Sequence, residues 1–241
     1  MTGYRARPDS RQEKLGRLFI AAVLVVFLPY LPFGNLVLYP FTILTTWFHE
    51  MGHGLAALLV GMDFERLVIF PDGSGYAESR FFVDSSRTSH ALVAAGGPVG
   101  PSVAGALLIL ASGRRRYWRP ALLALAGALI LSALIWVRST TGLVVLPLLA
   151  AFYGWVAWRG PDWLERFALQ FTGVLGAMSM LTDLDYLFSE SAVIGGQVMR
   201  SDTGAIEAAL WLPHWVWAVL IMLTCGAMIW LSLKYALAHD G

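Results

Sequence analysis

The chain has 241 residues, of which 57% belong to the hydrophobic set and 14% are charged. Soluble domains average about 45–50% apolar and about 25% charged residues, so this composition excludes a disordered chain, a fibrous repeat and an ordinary cytosolic enzyme, and it indicates a multi-pass membrane protein. The formal net charge of +1 gives no basic excess of the kind that nucleic-acid binding needs, and the single cysteine, Cys225, can form no internal disulfide.

Runs without Lys, Arg, Asp or Glu mark the predicted membrane spans, because a helix needs about 20 apolar residues to cross a hydrocarbon layer of about 30 Å. The first run, residues 18–49, is too long for one span, and its prolines, glycine and asparagine predict a turn near residues 33–37. We therefore predict an all-α polytopic membrane protein, a single integral-membrane domain over residues 1–241 with seven transmembrane helices (six to eight). The predicted helices cover about 15–33, 37–61, 88–112, 118–137, 140–158, 164–184 and 207–233.

A basic N-terminal arm, residues 1–14, precedes the first predicted span. No small-residue cleavage site follows the apolar segment, so we interpret that segment as a retained signal-anchor helix. Basic residues before it, among them Arg5, Arg7 and Arg11, favour a cytoplasmic N-terminus.

The second predicted helix contains Phe48-His-Glu-Met-Gly-His-Gly54, an H-E-x-x-H motif formed by His49, Glu50 and His53. Residues four apart lie on one face of a helix, so both imidazoles can bind a single Zn²⁺ ion, one per chain. Glu50 can then take a proton from water as the general base. A charged acid near the centre of a membrane helix costs about 2.5–3.5 kcal/mol on insertion scales, which argues against an unpartnered Glu50. The alternative is a buried polar cluster that hydrogen bonds neighbouring helices.

The segment that follows, residues 62–87, differs from the predicted helices. Two stretches rich in aromatic and β-branched residues, within 64–70 and 76–83, flank Pro71-Asp-Gly-Ser-Gly75. This pattern predicts a small membrane-associated β-hairpin with a five-residue loop, and a plain surface loop is the alternative.

Two histidines leave a catalytic zinc short of a third protein ligand. The candidates are Asp183 and Asp185, at the end of the sixth predicted span, and carboxylate oxygen is a normal zinc ligand. We favour Asp183, because it directly follows a charge-free run and the second and sixth spans run in the same direction. His90 and His214 lie at predicted helix starts and are interpreted as interfacial hydrogen-bonding residues.

The stretch 48–61 resembles the site-2 protease family of intramembrane zinc metallopeptidases, in a compact branch without extra soluble domains. A Gly-Pro element of that family is similar to Ala95-Gly-Gly-Pro-Val-Gly-Pro101, and its later aspartate ligand is similar to Asp183 in Thr182-Asp-Leu-Asp-Tyr186. Asp202, in Arg200-Ser-Asp-Thr-Gly204, also looks like a feature of this branch, with no role assigned.

The resemblance implies a zinc endopeptidase in which His49, His53 and Asp183 hold the metal. Zinc would polarise the scissile carbonyl, and Glu50 would transfer a proton from water to the leaving amine. The partners expected are a membrane-protein substrate and the lipid bilayer, in a bacterial plasma membrane, with the activity serving regulated intramembrane proteolysis.

The substrate segment has to be unwound before its peptide bonds become accessible. We expect the hairpin, residues 64–83, to hold the unwound strand by edge pairing. Gly96, Gly97 and Gly100 are predicted to bind substrate by allowing its close approach.

Two other functional classes stay open. A transporter, or a non-catalytic scaffold derived from such proteases, also carries ionisable residues within the membrane, although the sequence contains no inverted repeat. A zinc protease of the prenyl-protein processing type shares H-E-x-x-H and uses a later glutamate as ligand, for which Glu165, Glu190 and Glu207 are available.

Overall fold

A computed structural model describes residues 11–82 and 85–238, and these residues are mainly helical. The predicted basic arm, 1–14, lies mostly outside the described residues. Within them the chain forms nine α-helices and two antiparallel β-hairpins. In chain order the elements are α1 (Arg11–Phe27), α2 (Gly34–Leu59), β1 (Asp63–Ile69), β2 (Gly75–Arg80), α3 (Arg87–Ser112), α4 (Trp118–Ile135), α5 (Thr140–Arg159), α6 (Asp162–Thr182), α7 (Leu184–Leu187), β3 (Ser191–Ile194), β4 (Gln197–Arg200), α8 (Asp202–Ala209) and α9 (His214–Ala238).

Four of these helices, α3, α4, α5 and α9, are long and apolar enough to cross a bilayer. A fifth span is possible if the bent pair of α1 and α2, which meet at 119°, is counted as one. The chain is therefore a multi-pass integral membrane protein. Seven long helices lie close to the predicted positions, but the count of seven spans is not confirmed and stays a prediction.

The first long apolar run is broken between α1 and α2, a few residues before the predicted turn. A short 3₁₀ turn, Leu28–Tyr30, follows α1, and Phe33 has a left-handed backbone with φ of 62°. A side chain at Gly34 would lie 1.6 Å from the carbonyl oxygen of Leu28, so the tight start of α2 requires glycine there.

The β1–β2 hairpin confirms the prediction for residues 62–87. Leu67 on β1 pairs with Ala77 on β2, and its other side bonds to the segment between α4 and α5: its N–H donates to Trp136 and its carbonyl accepts from Arg138, both at 2.9 Å. β1 is therefore an inner strand, and the outer edge of β2 is turned towards α2.

The last predicted helix, 207–233, is wrong at its start. The chain breaks at Leu210-Trp-Leu-Pro213, and α8 and α9 form on either side of the break. Pro213 explains the separation, since proline lacks the N–H that a continuous helix needs and its ring clashes with the preceding turn. A second hairpin, β3–β4, precedes α8 and turns at Gly195-Gly196, both with positive φ.

The helix α3 lies at the centre of the described structure and packs against α2, α6, α8 and α9. On one side, the largest apolar core joins residues of α2, α4 and α5 with β1. On the other side, a smaller core joins α3 with α7, α8 and α9. This arrangement brings α8, from late in the chain, next to the motif on α2.

Candidate metal centre

The helix α2 presents His49 and His53 on one face, with their ring centroids 5.0 Å apart. Glu50 lies between them in sequence, and its side chain is buried, with 5% of the residue exposed. The three residues of the predicted motif are thus brought together in the interior of the protein, as the helical spacing requires.

Asp202 completes this cluster from α8. Its Oδ2 lies 3.0 Å from Nε2 of His49, and its Oδ1 lies 3.2 Å from Nε2 of His53. The carboxylate therefore faces both imidazoles at once, and the ligand atoms of the three residues all lie within 4.8 Å of one another.

The start of α8 is held firmly in place, which fixes the position of Asp202. The Ser201 hydroxyl caps the helix by accepting from the Gly204 N–H at 3.0 Å, and it also donates to the carbonyl of Ser189. The Thr203 hydroxyl donates to the carbonyl of Leu187 at 2.7 Å. These bonds tie α8 to the end of α7 and to Ser189 just after it.

The orientation of His53 suits metal binding through Nε2. Nδ1 of His53 lies 2.8 Å from the carbonyl oxygen of Val93, and since a carbonyl only accepts, Nδ1 carries the proton. When His53 is neutral, this tautomer directs the lone pair of Nε2 towards the Asp202 carboxylate. Nε2 and the carboxylate can then both bind one cation.

The position of the Asp202 carboxylate also supports a metal site. Oδ2 of Asp202 is buried and faces Nε2 of His49 at 3.0 Å. Ligands in a tetrahedral zinc site are about 3.4 Å apart when each metal–ligand bond is about 2.1 Å, close to the N–O separations observed. The residues present therefore fit Zn²⁺, and a backbone carbonyl that orients a histidine ligand is the usual supporting contact.

Glu50 lies beside the cluster and against the hairpin. Its carboxylate interacts with the backbone N–H of Ala77 on β2. A side chain at Gly75 would approach its Cγ to 3.2 Å. The acid is thereby held between α2 and the edge of β2, next to the histidines but outside the ligand group.

The glycines predicted to bind substrate lie between α2 and α3. A Cβ at Gly96 would be 2.5 Å from the carbonyl oxygen of Gly52, and one at Gly100 would be 2.5 Å from that of Phe48. Gly97 faces the imidazoles, where a Cβ would be 2.2 Å from Nε2 of His53. These positions give the glycines a role in helix packing, and substrate binding by them stays a prediction.

Asp183 lies at the end of α6, near the cluster but apart from it. Its carboxylate accepts from the Ser179 hydroxyl at 3.2 Å and the Thr182 hydroxyl at 3.4 Å, and it is not in the ligand group found among the described residues. Asp185 is exposed. The structure thus places Asp202, which the sequence left without a role, where Asp183 was expected; Asp183 as a ligand stays a prediction.

Tyr186, on α7, is a site residue that the sequence did not single out. Its ring lies edge-on to His49 with a centroid distance of 6.2 Å, and its hydroxyl interacts with Asp202. Tyr186 belongs to no recognised motif and to no periodic pattern, so the sequence provides no reason to select it.

Two cavities meet at the cluster, with volumes of about 500 and 600 Å³. Both are lined by His49, Glu50, Gly75, Tyr186 and Ile194, so they form two arms of one cleft. A peptide lying along the cleft would pass directly by the histidines and the glutamate.

The tips of the two hairpins meet beside this cleft. A Cβ at Gly195, in the β3–β4 turn, would lie 2.4 Å from the ring of Phe70, and the Gly195 N–H donates to the Ser74 hydroxyl at 3.4 Å. Asp72 lines the smaller arm, and the hydroxyl and amide of Ser74 hold the pKa of its carboxyl below the usual range. That arm therefore keeps a negative charge at neutral pH.

A comparison with protein families gives one match, to the family described as Peptidase M50B-like, over residues 18–232. The matched range includes both histidines, Glu50 and Asp202. Comparisons with curated proteins and with solved structures gave no match.

Proposed function

Because the chain belongs to the Peptidase M50B-like family, a family of membrane metallopeptidases of the site-2 protease type, we propose that it is an intramembrane zinc endopeptidase. It hydrolyses peptide bonds in or near the transmembrane segments of other membrane proteins and serves regulated intramembrane proteolysis in a bacterial plasma membrane. The observation that carries this proposal is the convergence of His49, His53 and Asp202 beside Glu50 at the junction of the cleft.

We assign zinc binding to His49, His53 and Asp202. Bound zinc supplies Lewis acidity towards a peptide carbonyl and towards water. The Val93 carbonyl keeps the proton of His53 on Nδ1 and leaves Nε2 for the metal, and the bonds at the start of α8 hold the Asp202 carboxylate in place.

Glu50 acts as the proton-transfer group. It lies next to the ligands without being one, so its carboxylate is available to take a proton from the attacking water and to deliver it to the leaving amine. Its side chain is buried between α2 and β2 and lines both arms of the cleft, so it can reach a water molecule held beside the histidines.

The outer edge of β2 supports a role in holding the substrate. β1 is paired on both sides, whereas β2 has a pairing edge turned towards the cleft, and Gly75 and Ala77 of that strand lie against Glu50. An unwound substrate segment added to this edge by main-chain hydrogen bonds would bring its peptide bonds past the histidines.

The proposal is tested by purifying the protein in detergent, measuring bound zinc, and following cleavage of a model transmembrane substrate. Wild type should hold about one zinc ion per chain. Glu50→Gln should keep the zinc and cleave about 10²- to 10⁴-fold more slowly, the range for loss of a general base.

Glu78→Gln is the matched control, because this acid lies on β2, the strand that Glu50 packs against, but is paired with Arg66 at 2.5 Å. It should retain both zinc and activity. A wild-type protein without zinc would exclude the metallopeptidase and favour a non-catalytic membrane protein. Cleavage undiminished in Glu50→Gln would exclude Glu50 as the base.

A further inference from the structure

An apolar groove of about 1080 Å³ lies far from the metal centre, between the second half of α3, the start of α4 and the end of α9. On α3 it is lined by Val103, Leu107 and Leu110, which follow one another at helical spacing and so share a face. Leu231 and Met228 line it from α9. Its walls are almost entirely hydrocarbon.

One end of the groove is basic and aromatic. Arg114 and Lys234 line this end together with Tyr117 and Tyr235. The Arg114 guanidinium lies 5.7 Å from the centre of the Tyr235 ring. A side chain at Gly113 would lie 3.2 Å from Cα of Ala236, so the ends of α3 and α9 pack closely and bring the two cations to the same level.

The cations of the groove are not neutralised by described acids, unlike their neighbours. Arg115 is paired with Asp162, and Arg119 with Glu165 at 2.8 Å. In the part of the chain that the structure describes, no carboxylate forms an ion pair with Arg114 or Lys234. Within residues 11–82 and 85–238, the mouth of this hydrocarbon-lined groove therefore carries positive charge that no carboxylate pairs.

The length of the groove matches one leaflet of a bilayer. Residues 103–112 of α3 extend about 14 Å at about 1.5 Å per residue. Half of a hydrocarbon core of about 30 Å is about 15 Å. Arg114, with the tyrosines, then lies at headgroup level, where aromatic and basic side chains are usually found in membrane proteins.

We propose that this groove binds an anionic phospholipid, with its acyl chains along α3 and α9 and its phosphate between Arg114 and Lys234. Charge complementarity selects the anionic headgroup, and the apolar walls select a lipid over a soluble phosphate. Basic pockets between transmembrane helices are known to hold anionic lipid headgroups.

The test measures lipid retained by the full-length, zinc-loaded protein in native mass spectrometry, after equilibration with phosphatidylglycerol or phosphatidylcholine of identical acyl chains. The wild type should retain one phosphatidylglycerol and much less phosphatidylcholine. The double variant Arg114→Gln with Lys234→Gln should bind phosphatidylglycerol about 30-fold more weakly, as expected for the loss of two interfacial cations.

Arg159→Gln is the matched control, because its guanidinium also lies over an aromatic ring, that of Trp158 at 5.3 Å, but outside the groove. This variant should bind lipid as the wild type does. A second pair tests the apolar part: Ala121→Trp fills the groove and should reduce retention, whereas Ala151→Trp, exposed on α5, should not.

Three results would overturn the proposal. The first is equal retention of the two lipids by the wild type. The second is an equal loss of phosphatidylglycerol in the groove variants and in their controls, which would indicate unspecific attraction to the surface. The third is a wild-type protein that forms a dimer and retains no lipid, together with an Ala121→Trp variant that is monomeric. That result would make the groove a contact between two copies of the chain.

Discussion

The two halves of α3 differ in the residues they present and in what those residues contact. The first half packs on α2 through Gly96 and Gly100, whose missing side chains let the backbones touch, and Gly97 leaves room for the imidazoles. The second half carries Val103 and Leu107, which are exposed by 39% and 60% and line the apolar groove. Along one helix, small residues therefore allow close packing beside the proposed metal centre, whereas large aliphatic residues line the groove that we propose binds lipid.

The comparison also explains why the site can be rigid in a membrane. Helices in lipid gain little from apolar contact alone, since lipid tails are as apolar as leucine, and they associate through close packing of small residues and buried polar bonds. Both devices occur at α2, where Gly52 meets Gly96 and Trp47 donates to Ser132. On the groove side, only 22% of the most apolar 18-residue stretch of α9 is buried inside the protein.

Gly97→Ala should have the largest effect, and it acts on the proposed metal centre. The added Cβ would lie 2.2 Å from Nε2 of His53 and 2.6 Å from Nε2 of His49, so the imidazoles have to move out of the positions that face Asp202. We expect bound zinc, measured by elemental analysis, to fall more than about tenfold, together with cleavage. Gly127→Ala on α4 is the control, because no atom lies within 4 Å of its Cβ position. Full zinc in Gly97→Ala would contradict the packing described here.

Gly52→Ala should come next, acting on stability. Its Cβ would lie 2.1 Å from the carbonyl oxygen of Gly96, so α2 and α3 have to separate, at a cost of about 1–3 kcal/mol of unfolding free energy. Helix propensity alone predicts the opposite sign, a gain of up to about 1 kcal/mol for glycine to alanine. Unfolding titrations should show destabilisation in Gly52→Ala and not in Gly226→Ala, whose Cβ position on α9 is open. A stabilised Gly52→Ala would refute close packing.

Ser132→Ala should have the smallest effect of the three. The Trp47 indole N–H donates to the Ser132 hydroxyl at 2.8 Å in a buried position between α2 and α4. Removal of the acceptor leaves a buried donor unsatisfied, which costs about 1 kcal/mol or somewhat more. Thr224→Ala on α9 is the control, because that hydroxyl is exposed and bonds only to the carbonyl of Leu220 in its own helix. Equal unfolding curves for the two variants would show that the bond to Trp47 contributes nothing.

Much of the fold could be predicted from the sequence, because membrane helices are marked by the absence of charge. The long helices lie near the predicted positions, and the β1–β2 hairpin forms where turn residues separate aromatic and β-branched stretches. The β3–β4 hairpin also had a signal, since Gly195-Gly196 is a favoured two-residue turn. Its four-residue strands were too short to give a pattern.

The candidate site could be predicted from the sequence only in part, for a physical reason. His49, Glu50 and His53 lie within one helix, so their spacing fixes their relation. Asp202 reaches them through the tertiary path of residues 187–201, which no local pattern records. A search for acids that directly border charge-free runs favours Asp183 and overlooks an acid at the start of a short helix. Likewise, a glycine shows that space is needed but not whether a helix or a substrate fills it.

The central claim is that Asp202, with the two histidines, holds the zinc. The most direct measurement is the zinc content of Asp202→Ala and Asp183→Ala, purified side by side in detergent. Loss of one of three ligands should leave less than about one tenth of the zinc in Asp202→Ala, while Asp183→Ala should keep about one ion per chain. Zinc retained in Asp202→Ala and lost in Asp183→Ala would contradict the account and assign the third ligand to Asp183.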